Sequence, residues 1–583
     1  MSQRVRLQVA DVAARHLGIE HTIDDPGDGP LVVRMPAWCP GSYVLREYAG
    51  HVTRFTATDA DGGALSWHKR DKATWEIAPE GAPTVVLRYR VFAPELTVRS
   101  NDVSHDHAFV HPPAAFFAVE GRTDEAIDLH VDPPTGWTVS TALDPHGDGY
   151  RAHDYDRLAD CPLEIGPHDV HHFEVAGRRH EFVIHGSGNH DVERIVADTE
   201  KIVRTEVDFF GGEPPYDRYL FVLHLTHDRG GGLEHDDSCA LAWPKLGFRP
   251  EKQYRKFLTL VAHEFFHVWN VRRIRPEALL PYDYAREAYT TLLWVFEGFT
   301  TYYDELFPVR AGCYDTTTML DHLAELIGRE ASRPGGSVQS LAESSFDAWI
   351  GLYRPNPDTP NSQTNYYLKG LLVAWKLDLF LRRETDDAHS LDDVVRHLWH
   401  EYGQRGRGVP EDGMVAIVRE ATGVDVTEFV RAHVERPGRM EYDDVLAHVG
   451  LRLRRKPVPE DEETPAWIGA TLEPGDSGTR LAQVFHGGPA HAAGLMAGDV
   501  VIALDDHRIG RDLDERLKIL RPGETVRWTA FRRDRLVQGR MTLGEDPVGT
   551  PEIVPLEGAD PARRASFERW TGRSFEESAG RGD

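Results

Sequence analysis

The order of apolar and polar positions changes character several times along the chain. Up to about residue 175, runs such as LVVRMP and PTVVLRYRVF alternate or cluster β-branched and aromatic residues between Gly, Pro and Asp, which predicts strands and turns. HEFVIHG, just beyond that point, reads the same way. From Asp191 the period lengthens: Ile195, Val196, Ile202, Val203 and Val207 fall at helical spacing, and an apolar strand, YLFVLHLTH, follows. Between Tyr254 and Tyr442 the segments YRKFLTLVAHEFFHVWN, TTLLWVFEGFTTYYDEL, YYLKGLLVAWKLDLFLRR and LDDVVRHLWHEY predict helices. KPVPEDEETPAW is Pro-rich and acidic, as linkers are, and short strands then return around one helix, LDERLKIL. The end, ARRASFERWTGRSFEESAGRGD, is polar and expected to be mobile despite Phe567, Trp570 and Phe575. The expected architecture is a multidomain α+β chain: a β-rich domain (1–175), a mostly helical domain (176–455), a linker (456–464), a smaller β-containing module (465–546) and a tail (547–583).

Composition narrows the class. A hydrophobic share of 40% with 10% aromatics suffices for several cores and excludes a disordered chain. No apolar run approaches the ~18 residues a transmembrane helix needs. The opening MSQRVRLQVADVAARHLG lacks an apolar stretch between its charges, so no signal peptide and a cytoplasmic location are expected. Ninety-four acidic against 66 basic residues give a formal charge of -28. That balance argues against nucleic acid or an anionic membrane as partner and reads as a solvating surface. Cys39, Cys161, Cys239 and Cys313 are widely spaced and form no CxxC, which suits reduced thiols.

The candidate chemistry centres on His263-Glu264-Phe265-Phe266-His267. Histidines at i and i+4 lie one helical turn apart and face one point, the geometry that zinc asks of two nitrogen ligands. Glu264 is then placed to take a proton from a water rather than to bind metal. A catalytic zinc needs a third protein ligand, and the continuation HExxHxxGxxH is absent, since Asn270 and Arg273 stand where Gly and His would be. The candidates are therefore Glu287 and Glu297. Glu297 is favoured because LWVFEGFT surrounds it with apolar neighbours, where a carboxylate needs a cation. Asn270, Arg272, Arg273 and Arg275 follow this helix, and for the arginines a solvated helix end is expected.

Gly231-Gly232-Leu233-Glu234-His235, HEFFHVWN, LWVFEGFT and Tyr367-Leu368-Lys369-Gly370 occur in the order seen in gluzincin aminopeptidases, whose typical motifs are G-x-M-E-N, HExxH, LxxEGFA and Y-x-K-G. With Trp38-Cys39-Pro40-Gly41-Ser42-Tyr43 near the amino terminus and HVWNVRRIRP after the first histidines, the chain resembles the glycyl aminopeptidase family over nearly its whole length. The resemblance implies a thermolysin-like catalytic domain at 176–455, with one zinc per chain held by His263, His267 and Glu297. It implies Glu264 as general base and acid, Glu234 on the substrate's α-ammonium beside Gly231 and Gly232, and Tyr367 as donor to the oxyanion. Peptides with a free amino terminus, chiefly Gly or Ala, would be the substrates. Two departures stand out: His235 replaces the Asn of G-x-M-E-N, and an insertion containing RRIRPEALLPYDY lengthens the spacing from His267 to Glu297.

Gly487-Gly488-Pro489-Ala490 and Ala493-Gly494-Leu495-Met496-Ala497-Gly498-Asp499 resemble a PDZ domain, which implies a possible peptide ligand; the loop near Trp467–Leu472 carries one glycine, a poor cradle for a terminal carboxylate. Two other functions stay open from the residues alone: an endopeptidase on the same zinc site, and a non-catalytic, PDZ-based binding protein. His168, His171 and His172 lack matched carboxylates and read as a chance His-rich edge.

Overall fold

The computed structural model describes residues 3–458 and 464–579, so most of the linker read at 456–464 lies outside the described residues. Two compact units emerge. One runs from the amino terminus to Tyr289 and adds Tyr303–Cys313 and Leu398–Pro410; the other comprises Thr290–Tyr302, Tyr314–His397 and the chain from Glu411 onward.

The first unit begins as the β-rich domain the patterning predicts. Gln3–Asp11 and His16–Asp24 form an antiparallel pair inside a seven-stranded sheet, with Thr84–Phe92 on its far side. Val5, Leu7, Leu17, Ile19 and Ile23 alternate inward, the period-2 pattern of a half-buried sheet. They meet Leu31, Val33, Trp75 and Ile77 of a four-stranded sheet, with Phe117 among Phe55, Trp75 and Tyr89. Each such buried side chain contributes roughly 1.5–3 kcal/mol.

The same unit continues into a five-stranded sheet ordered Val170–Val175, Arg178–His185, Arg218–Thr226, Ser238–Pro244, Gly231–Glu234. Arg218–Thr226, buried almost throughout, is the apolar strand read from the sequence. The last strand is an edge: among the described residues its one partner is Ser238–Pro244, antiparallel, with Glu234 opposite Cys239. Two helices accompany this sheet. Val192–Phe209 is capped by the Asp191 side chain and buries Ile195, Ile202, Val203 and Val207; Glu251–Phe266 buries Phe257, Leu258, Val261 and Phe265.

The second unit is helical before it turns to strands. Leu368–Glu384 is buried on nearly all sides. Ahead of it, Thr359–Ser362 carries Asn361, whose amide bonds the Val484 carbonyl and the His486 N–H at 3.0 and 2.8 Å. Those two groups end a strand of the carboxy-terminal module, a sheet ordered Ala470–Gly475, Gly478–Val484, Val500–Leu504, Thr525–Arg532, Arg535–Thr542 around Leu481, Val501, Trp528 and Met541. The chain's end departs from the expectation of mobility. Pro551–Pro555 pairs with Leu451–Arg455, and the helix Pro561–Thr571 buries Phe567 and Trp570 completely. The segment is polar overall because its few large apolar residues all face inward. Among the described residues no helix is long and apolar enough to cross a membrane.

Candidate active site

The helix Glu251–Phe266 delivers His263 and Glu264, and His267 follows as its carboxy-terminal cap in helical conformation. Each imidazole is oriented by a partner at Nδ1. The Asp304 carboxylate lies 2.8 Å from that of His263, and the Asn270 carbonyl accepts from that of His267 at 2.6 Å. A carbonyl can only accept, so Nδ1 of His267 carries the proton and Nε2 the lone pair; a carboxylate imposes the same tautomer on His263. This is how metal-binding histidines are held.

Glu297 caps the short helix Leu293–Phe296, and the next helix, Gly298–Arg310, carries Asp304 seven residues further on. Two turns of helix separate Glu297 from Asp304 along the chain. His263 and His267 belong to the first unit and the buried Glu297 carboxylate to the second; two imidazoles and one carboxylate are a donor set that fits zinc. Glu287 is not part of this group among the described residues.

Within the first unit, ligand atoms of Glu234, Glu264 and His267 lie within 4.8 Å of one another. Glu234 and Glu264 are both buried, and one oxygen of each lacks a hydrogen-bond partner. Burial pushes the Glu264 carboxyl up to about 7, the histidines opposing and Glu234 adding to the rise. Two glycines make this crowding possible. A Cβ on Gly232 would fall on the Glu264 carboxylate, and one on Gly41 on that of Glu234. Gly41 has φ +80° in the turn that Ser42 N–H closes onto the Cys39 carbonyl, with Pro40 before it. The WCPGSY segment thus packs a turn against the carboxylate. Gly231, with φ +131°, borders open space.

Tyr367 stands at the start of the helix Leu368–Glu384, its N–H held by the Asn365 side chain at 2.8 Å. Its hydroxyl meets that of Tyr353 at 3.2 Å, and burial followed by the Glu297 charge holds the phenol well above its ordinary pKa. It therefore keeps its proton. The motif glycines serve packing: Gly298 and Gly370 lie backbone to backbone, and a Cβ on either would strike the other. Tyr366 is fully buried.

Several participants carry no local signal. Asp304, Tyr353 and Arg99, whose guanidinium donates to the Gly232 carbonyl at 2.8 Å, reach the site through tertiary contacts. Glu206 is another. It sits on the buried face of its helix near Asp304 and His263, neither oxygen bonded, and burial holds it well above the usual carboxylate range. The arginines after the helix Glu251–Phe266 are not a solvated end. Arg272 is 3% exposed and bonds Asp160 and Asp236 at 2.7 and 2.8 Å, while Arg273 donates to the carbonyls of Asp236, Val268 and Pro215. The insertion folds back on the Asp160 and Asp236 carboxylates, and these attract the arginines inward.

The chain is similar to known proteins over nearly its whole length. Residues 256–373 match the model of M61 glycyl aminopeptidase, residues 4–167 that of the peptidase M61 N-terminal domain, and residues 466–542 that of a PDZ domain. Among solved structures, an aminopeptidase N family protein from Idiomarina loihiensis shares 31% identity, with 98% of this chain and 100% of that one covered and a TM-score of 0.91. The M1 zinc metallopeptidase from Deinococcus radiodurans, solved alone and as a point mutant bound to a Tyr-Ser-Ala substrate, is a distant likeness. Identities are 15% and 14%, coverage 76% of this chain and 95% of that one, and TM-scores 0.48 and 0.47. No curated protein matches in sequence. With near-complete coverage at 31% identity, and with models for its central segment, amino-terminal domain and PDZ module each in place, the chain belongs to the M61 glycyl aminopeptidase family of metallopeptidases.

Proposed function

We propose that the chain is a zinc aminopeptidase that removes one residue at a time from peptides with a free, small amino-terminal residue such as Gly or Ala. The observation that carries this reading is the pair of buried carboxylates, Glu234 and Glu264, each with an unbonded oxygen, gathered with His267 so that one ligand atom of each lies within 4.8 Å of the others. One carboxylate is enough for water activation; a second makes sense as the seat of a substrate ammonium.

His263, His267 and Glu297 would hold one zinc ion, which when bound supplies Lewis acidity towards a carbonyl oxygen and lowers the pKa of a water. Glu264 takes the proton of the attacking water and passes it to the departing amine. Tyr367, kept protonated, donates to the oxyanion, a contribution of roughly 2.7–4 kcal/mol for a well-placed donor. Glu234 fixes the α-ammonium and so the scissile bond. The glycines beside it let the substrate backbone approach the edge strand. The PDZ module remains a candidate binder of a peptide segment.

The test compares alanine amides and short peptides with their N-acetylated forms on the zinc-loaded protein. Hydrolysis of the free forms, lost in Glu264→Gln with zinc retained, is expected. Equal cleavage of acetylated peptides would show an endopeptidase instead.

A further inference from the structure

The strand Gly231–Glu234 is an edge of its sheet, and an edge strand turns unpaired backbone groups outward. Which groups those are follows from the turn beside it. The His235 N–H bonds the Ser238 carbonyl, and bonded and unbonded pairs alternate along an antiparallel ladder. Gly232 opposite Leu241 and Glu234 opposite Cys239 are therefore the pairs whose N–H and C=O groups point away from the partner strand. One of these outward acceptors is taken by a distant part of the same unit: the Arg99 guanidinium donates to the Gly232 carbonyl at 2.8 Å.

Arg99 does not reach the strand as an isolated side chain. Val98 before it shares one apolar cluster with Cys39, Phe109, Leu233, Ala240 and Ala242, so the loop packs on the edge strand and on its neighbour. The Thr97 hydroxyl accepts from the Arg99 N–H at 3.1 Å, and the Arg99 carbonyl accepts from the Tyr48 hydroxyl at 3.0 Å. That hydroxyl also lies 3.8 Å from the Cys39 thiol. Cys39 opens the turn whose Gly41 rests against the Glu234 carboxylate, and Arg46 holds Ser42 of the same turn at 2.6 Å. The β-rich domain thus grips the strand at two places, the Gly232 carbonyl and the Glu234 carboxylate, and Tyr48 ties the two grips together. A strand fixed in this way needs no ordering when a ligand arrives.

Gly232 and Glu234 are two residues apart on a strand and so share a face. The Glu264 carboxylate occupies the space of the missing Gly232 Cβ, so the register of this one strand sets where Glu234 stands beside Glu264. We propose that Arg99 is a positioning residue for substrate binding: by holding the Gly232 carbonyl it fixes the edge strand, and through that strand the carboxylate that receives the substrate's α-ammonium. The inference rests on the aminopeptidase reading of Glu234. Arg99 itself touches backbone, and its effect on substrate passes through Glu234.

Steady-state kinetics of the zinc-loaded full chain on alanine amides test this. Arg99→Gln should raise KM about tenfold or more, the scale of one charge-assisted hydrogen bond. A loss of this kind leaves kcat within about threefold of wild type, with zinc content unchanged. Arg99→Lys keeps the charge and a donor and should show a smaller rise; melting curves check the fold of both variants, and either serves in the next step. In a double-mutant cycle, Glu234→Gln should remove most of the effect of the Arg99 substitution, because both act on one ammonium. An unchanged KM in Arg99→Gln, a loss confined to kcat, or full additivity with Glu234→Gln overturns the proposal and leaves the aminopeptidase reading standing. If Glu234→Gln alone leaves KM unchanged, the reading of Glu234 fails, and the proposal with it.

Discussion

At the scale of single residues, the site depends on the space one glycine leaves and on a hydrogen bond one carboxylate makes. Gly232 has an ordinary backbone conformation, so alanine there would be tolerated by the chain itself; what forbids it is the Glu264 carboxylate occupying the space of the missing Cβ. Gly232→Ala should therefore leave the melting temperature and zinc content close to wild type while lowering kcat by at least about a hundredfold, the scale of a lost general base. Steady-state kinetics beside metal analysis would show it, and unchanged kcat would mean that Glu264 has another way to act. Asp304 gives a complementary case. Asp304→Asn keeps the shape but weakens the hold on the His263 Nδ1 proton, so zinc affinity in competition with a chelator should fall about 10–100-fold. The sequence shows His263, Glu264 and His267 because their relation is local, one turn of one helix. Asp304, Glu206 and Tyr353 obey no such spacing, and the inward place of Arg272 is hidden because its carboxylate partner Asp160 lies 112 residues away.

At the scale of elements, strand and helix assignments follow the apolar period well, since Arg218–Thr226 and Val192–Phe209 bury the residues that define their patterns. The buried polar ties between sheets are not visible in that period. Glu164, on Leu163–Gly166, takes one bond from His107 and one from His224 of Arg218–Thr226, each at 2.9 Å, while Asp102 holds the other nitrogen of His107 and Arg15 in turn holds Asp102. The two carboxylates overcome the burial penalty on His107 and raise it to about 9. A histidine raised above its unfolded value of about 6.5 stabilises the fold fully below that value and ceases to do so as pH climbs through the folded one. Glu164, held well below the usual carboxylate range, works in the opposite sense and loses its contribution only in acid. The first unit should thus lose stability between about pH 6.5 and 9, seen as a falling melting temperature. His107→Gln should be destabilised by about 3–5 kcal/mol near pH 6, because its carboxylate partners stay buried, and should show a flatter curve above it. The histidines His168, His171 and His172 belong to no ligand cluster among the described residues.

At the scale of the molecule, the three-part reading of β-rich domain, helical core and PDZ module is legible because texture and motifs change together at their borders. The end of the chain is not, since a composition rich in Arg, Glu and Gly hides three aromatic residues that all turn inward. Trp570 is fully buried; its indole donates to the Tyr302 hydroxyl at 2.8 Å, and that hydroxyl donates to Asp378 at 2.5 Å. Phe575 packs edge-on against Phe567, and Pro551–Pro555 pairs with Leu451–Arg455. This segment is accordingly part of the core of the second unit. Trp570→Ala should cost about 3–5 kcal/mol, the range for an aromatic deleted from a packed interior. Truncation before Pro551 would go further, because it removes strand, indole and phenyl rings at once and bares the apolar surface they cover. The truncated protein should therefore be insoluble or melt far below the full chain even with its catalytic residues and PDZ module intact, whereas a mobile tail would leave melting and activity unchanged. Since Tyr302 lies five residues past Glu297, within the helix that begins at Gly298, the milder Trp570→Phe variant should lower zinc affinity as well as stability, with chelator competition providing the readout.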